Sequence, residues 1–180
     1  MRNNINVAGI SEYVNEIKEN PNEAMASFGV ELDWVSGTKN KVSTKPLMIG
    51  DHKLVRTFEF NVDEPAQLLG INQFANPAEY LMGAVAACMS VTFTAGATMM
   101  GITLEKLSIE MRGGMNLKGF LGMDEDTYAG LEEINCEIHV KGNGTKEQYE
   151  TLKDRVKKHS PNFNTIVNGV RMEPKLVVEE

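Results

Sequence analysis

Cysteine is scarce in this chain. Only Cys88 and Cys136 occur in 180 residues, at positions 48 apart, and no Cys-x-x-Cys pair is present. The three histidines, His52, His139 and His159, show neither metal-ligand spacing nor a Ser/His/Asp arrangement. A zinc site is therefore not expected, and nothing in the sequence asks for a metal or a cofactor. Positive charge is also short. Eighteen Lys and Arg stand against 25 Asp and Glu, for a net charge of −7 and a pI near 5.1. With no basic stripe and no RNA-binding motif, nucleic acid is not the expected partner. The first residues, Met1 to Ala8, lack the apolar core of a signal peptide, so the expectation is a cytoplasmic protein with both thiols reduced. Internal repeats and low-complexity segments are missing as well.

What the chain does have is a 25-residue stretch without a charge, Tyr80 to Leu104. Its length suits a membrane span. Eight of its residues, however, are glycine or small and polar: Gly83, Ser90, Thr92, Thr94, Gly96, Thr98, Gly101 and Thr103. No Lys/Arg cluster flanks it to set an orientation. The better reading is a helix apolar all round because protein surrounds it, and no membrane partner is expected. Asn76 fits as its N-cap, with Pro77 in the first turn and Glu79 at the third position, where a carboxylate suits the helix dipole.

The remaining pattern gives an α+β order, within one domain plus a short extension. Residues 1–27 form a helical arm, with Ile10, Val14 and Ile17 at helical spacing. Strands are expected over Phe28–Val35, Lys41–Ile49 and Lys53–Val62, the last with Leu54, Phe58, Phe60 and Val62 on one face. After the buried helix come a strand over Leu104–Met111, a glycine-containing loop or short lid over Leu117–Met123, and a strand over Leu131–Lys141. Thr145 and Gln148 form a capping-box start to a helix ending near His159. Ser160-Pro161 then reads as a turn, and Val170–Val178 as a final strand.

Three segments carry a resemblance to the OsmC/Ohr family: Asp63-Glu64-Pro65 with Leu69-Gly70 shortly after, Asn76-Pro77-Ala78-Glu79-Tyr80-Leu81 leading to Ala86-Ala87-Cys88, and Ser160-Pro161. The middle one is the most specific, and the likeness spans about residues 28–178, so residues 28–180 are taken as the OsmC-like domain. The resemblance implies an intertwined homodimer with two central helices per chain wrapped by mixed β-sheets. It also implies reduction of organic hydroperoxides through two cysteines. The first matches Cys88, and its thiolate attacks the O–O bond and becomes a sulfenic acid. A second cysteine closes a disulfide with it, an external thiol reductant reopens that bond, and an Arg–Glu pair supplied across the dimer activates the first thiol.

The sequence departs from that pattern twice. Ser160 stands where the second cysteine is expected, and Ala78 where the glutamate is expected. Glu79 is its neighbour, turned by about 100° on a helix and about 13 Å from Cys88 along the axis, so it meets a Cys88 only across a dimer. Arg56 is the candidate arginine, by position alone. Cys136, between Asn135 and Glu137, reads as a strand thiol. Two functions follow. In one, Cys88, with Glu79 and Arg56, reduces organic hydroperoxides and is reset by an external thiol. In the other, the dimer has no redox cycle and its cleft binds a small hydrophobic molecule.

Overall fold

The computed structural model describes residues 1–179, whose contacts fall into two compact units, 1–82 and 83 onward. The first unit opens with α1 (Val7–Glu19), which buries none of its residues, and a short 3-10 turn, Pro21–Ala24. Six strands follow: β1 (Ala26–Ser27), β2 (Val30–Ser36), β3 (Lys39–Thr44), β4 (Leu47–Ile49), β5 (His52–Leu54) and β6 (Glu59–Val62). They form two antiparallel sheets, ordered β1-β4-β5 and β2-β3-β6.

Two expected strands are thus four. Between β3 and β4 lies Pro46, which has no N–H to give a ladder. Between β5 and β6 the chain leaves the ladder at Val55–Thr57. It rejoins where the Phe58 N–H donates to the Thr44 hydroxyl at 3.0 Å and the Thr44 N–H donates to the Phe58 carbonyl at 3.0 Å. Leu54 therefore belongs to a different sheet from Phe60 and Val62, and the single face expected for them does not exist.

The loop after β6 is organised by one carboxylate. Asp63 is fully buried and accepts hydrogen bonds from the Gln73 N–H (3.0 Å), the Thr38 hydroxyl (2.8 Å) and the Ile71 N–H (3.3 Å). These bonds, led by that from Gln73, overcome the opposing effect of burial and lower its pKa to about 2. A Cβ on Gly70 would lie 1.7 Å from the Glu64 carbonyl oxygen, so only glycine lets the loop close there. The Asp63-Glu64-Pro65 and Leu69-Gly70 pattern is thereby explained as loop architecture. Because the folded Asp63 is the more acidic form, its contribution is complete above the ordinary carboxylate range and is lost as pH falls toward 2. Asp63→Asn is expected to lower the melting temperature at pH 7 and to flatten the acid limb of a stability–pH curve. An acid limb identical to that of the parent chain would refute this.

Helix α2 (Pro77–Met99) begins in this unit as expected. The Asn76 Oδ1 accepts the Glu79 N–H and the Glu79 Oε2 accepts the Asn76 N–H, both at 2.8 Å, a reciprocal cap. The Tyr80 hydroxyl donates to the Asn61 carbonyl at 2.7 Å, and its ring lies 4.8 Å from Phe60, which ties the first turn to β6.

The second unit contains the rest of α2, then β7 (Leu104–Gly114), α3 (Leu117–Phe120), β8 (Glu133–Gly142), α4 (Lys146–His159) and α5 (Pro161–Asn168). Val85, Met89, Phe93 and Ala97 recur every fourth residue on α2 and pack with Leu152 and Val156 of α4. The β7–β8 hairpin lays Leu107, Ile109, Ile138 and Val140 over them, with Ile109 opposite Ile138. By length and composition α2 could cross a membrane, yet this face of it is the hydrophobic core. All ladders among the described residues are antiparallel, so no sheet formed by them is mixed.

Two further expectations need correction. Ser160-Pro161 opens the eight-residue helix α5 and is no mere turn. Val170–Val178 forms no strand, because alternation makes a strand only where a ladder partner exists. Its apolar residues are left exposed, Leu176 at 86%.

Candidate active site

Cys88 lies on the fourth turn of α2, half-buried, and faces the junction of α4 and α5. The Ser160 hydroxyl donates to the Cys88 Sγ at 3.3 Å, and the Asn162 backbone N–H donates to the same sulfur at 3.5 Å. Ser160 is the N-cap residue of α5 and fully buried, but its side chain does not cap its own helix. The sulfur occupies the place a capping oxygen would take, accepting from the second amide of α5. Negative charge developing on Cys88 would meet the positive end of a helix and a hydroxyl donor.

Neighbouring amides hold that helix end in place. The Asn162 Nδ2 donates to the Ala84 carbonyl of α2 at 3.1 Å. The Asn164 Nδ2 donates to the Lys157 and Ser160 carbonyls at 3.1 and 2.9 Å, closing the end of α4 onto α5. Sequence reasoning missed this cradle by reading Ser160-Pro161 as a turn and not as the start of a helix. The signal was present: Ser before Pro is a helix start, with proline at the first helical position.

Glu79 and Arg56 belong to the first unit. The Glu79 carboxylate is engaged in the cap of α2. Arg56 lies in the link between β5 and β6, its guanidinium 5.6 Å from the Phe58 ring centroid. It lines a cavity of about 390 Å³ with Phe28, Val30, Leu47 and Lys45, and no ion pair to it occurs among the described residues. Near the start of α2, burial first, and then Asp63 and Glu79, push the Glu64 carboxyl up, and its Oε2 is buried without a partner. Cys136 sits on β8 opposite Met111, and desolvation pushes its thiol up, away from the reactive form. Among the described residues no group of His, Cys, Asp and Glu is arranged to hold a metal.

The sequence model of the OsmC-like proteins matches residues 70–175, a span that includes α2, the hairpin and the Cys88–Ser160 pair. The chain belongs to the OsmC-like family. A hydroperoxide reductase of Mycoplasma genitalium is 33% identical over 92 residues, 51% of this chain and 61% of that protein. The chain thus spans less than two-thirds of that relative's length. Among solved structures, an OsmC-like protein from Mycoplasma pneumoniae superposes with a TM-score of 0.62 at 22% identity, covering 80% of this chain and 89% of its own. The organic hydroperoxide resistance protein OsmC from Legionella pneumophila gives 0.52 at 18% identity, covering 78% and 88%. These two likenesses establish an OsmC-like α+β fold.

Proposed function

We propose that this OsmC-like chain reduces organic hydroperoxides with Cys88 as the peroxidatic thiol. The observation that carries the reading is the pair of donors, Ser160 Oγ and Asn162 N–H, aimed at the Cys88 sulfur. The thiolate attacks the terminal peroxide oxygen, a sulfur–oxygen bond forms and the O–O bond breaks. The leaving alkoxide takes a proton and departs as the alcohol, while the sulfur is oxidised by two electrons to the sulfenic acid. With Ser160 unable to form a disulfide, one external thiol condenses with the sulfenic acid, releasing water. A second external thiol then attacks the mixed disulfide and restores Cys88.

A homodimer is part of this reading, and Glu79 and Arg56 remain the candidates for an activating pair supplied across it. Two features support it. Helix α2 leaves a second apolar face uncovered, with Ala84, Ala87 and Val91 exposed, Val91 at 69%. In addition, β2 is a sheet-edge strand whose seven residues are all exposed, Val30, Leu32 and Trp34 among them. Apolar edges and faces of this kind are normally covered by another chain.

The test is intact mass after brief exposure to cumene hydroperoxide with a sulfenic-acid trap, beside Cys88→Ser. The expected result is one trapped oxygen on Cys88 and none in the variant. Loss of two hydrogens instead would mean that Cys136 resolves Cys88. An unmodified Cys88 would overturn the peroxidase reading in favour of a dimer that only binds a small hydrophobic ligand, the function that serine in place of the resolving cysteine favours.

A further inference from the structure

A second cavity, of about 490 Å³, lies between the C-terminal half of α2 and the outer face of α4, and the chemistry of Cys88 makes no use of it. Its volume falls within the rough 300–1,000 Å³ span of small-molecule sites. One wall is apolar: Met99 and Met100, both exposed despite their composition. The other carries Arg155, Lys158 and His159, whose i, i+3, i+4 spacing sets them on one face of α4.

Three observations give this groove a preference. First, it concentrates positive charge on a chain whose net charge is −7. Among the described residues neither Arg155 nor Lys158 has an acidic partner, and the one lining carboxylate, Asp154, acts electrostatically on Lys153. Second, Gly96 shapes the wall. A Cβ there would lie 2.9 Å from the Arg155 Cδ and 2.8 Å from the Leu152 Cδ2. Glycine therefore lets the arginine stem lie along α2 and holds the guanidinium beside the cavity. Third, the two walls differ in kind, unbranched thioethers facing a planar, permanently charged fork. Methionine adapts to aliphatic chains, and a guanidinium matches a carboxylate through two parallel hydrogen bonds.

We propose that this groove is a binding site for an aliphatic carboxylate, with the carboxylate on Arg155 and Lys158 and the alkyl chain along Met99 and Met100. The site is separate from the peroxidatic one. Gly96 is eight residues beyond Cys88 on α2, roughly 12 Å along the axis, and none of the groove's residues is a hydrogen-bond partner of the sulfur.

The experiment titrates the full chain with decanoate, hexanoate and inorganic phosphate, reading calorimetric binding and thermal stability, in parallel with Arg155→Gln, Met99→Gln and Cys88→Ser. Decanoate is expected to bind saturably and to raise the melting temperature. Arg155→Gln should weaken it by about tenfold or more, the loss of a charge-assisted pair. Met99→Gln should narrow the preference for decanoate over hexanoate, and Cys88→Ser should leave both ligands unchanged. Arg155 and Met99 are exposed, so neither variant threatens folding. No saturable binding, or binding untouched by Arg155→Gln, overturns the proposal. So does loss of binding in Cys88→Ser, which would place the ligand at the thiol. Phosphate matching decanoate would reduce the groove to a plain anion patch and overturn it too.

Discussion

Ser160→Cys is expected to turn the Cys88 site into a disulfide-forming pair. The hydroxyl it replaces is 3.3 Å from the Cys88 sulfur, and its position is fully buried at the junction of α4 and α5, which Asn164 closes and Asn162 ties to α2. A disulfide needs its sulfurs at about 2.0 Å, so closure requires only a rotamer adjustment and a small approach. After one equivalent of organic hydroperoxide, the variant's intact mass should fall by two hydrogens. The parent chain should gain an oxygen under the same conditions. The link would join residues 72 apart in sequence, and chain-entropy arguments give such a loop roughly 4 kcal/mol of stabilisation over the reduced form. A Cys136→Ser background removes the other thiol from consideration. A variant that keeps the added oxygen and forms no disulfide would show that the two positions do not approach in solution. That result would remove the basis for reading Ser160 as the replacement of a resolving cysteine.

The parts of the fold legible in the sequence are those fixed by local chemistry. The uncharged run from Tyr80 announced α2, and Asn76 with Glu79 announced its cap, because the residues that satisfy a helix end lie within three positions of it. Thr145 and Gln148 marked α4 in the same way. Strand continuity was not legible. Whether Lys41–Ile49 is one strand or two depends on which sheet each half joins, and no local period records that. The final segment from Val170 alternates like a strand but has no ladder partner among the described residues. The site was legible only in part. Cys88 and Ser160 stood out by resemblance, but their contact follows from α2 and α4 packing so that Gly96 meets Arg155 and Cys88 meets Ser160, pairs set by tertiary structure alone. Glu79 shows a different ambiguity. A carboxylate at the third helical position fits a cap and a catalytic pair equally well in sequence, and within this chain its Oε2 accepts the Asn76 N–H.

Phe93→Ala is expected to cost about 3–5 kcal/mol, the range for emptying a fully buried aromatic site. Phe93 is 1% exposed and packs in the cluster with Met89, Ala97, Leu152 and Val156, so no solvent can fill the space and the helices must collapse or leave a cavity. Against a typical total stability of roughly 5–15 kcal/mol, that loss is large enough to read in any denaturant titration. Two residues earlier on the same helix, Val91 points away from this core and is 69% exposed. In an isolated chain Val91→Asp should change stability by no more than about 0.5 kcal/mol, as for other surface substitutions. If a second copy covers this face of α2, the same substitution buries a carboxylate in an apolar contact and should split the dimer. Sedimentation of Val91→Asp beside Phe93→Ala separates the two cases. A destabilised but associated Phe93→Ala with a monomeric Val91→Asp is the expected pair, since it assigns one face of α2 to the core of the chain and the other to its partner. A Val91→Asp variant that sediments like its parent would leave the uncovered face of α2 outside any dimer contact, and would remove the main structural support for supplying Glu79 and Arg56 across it.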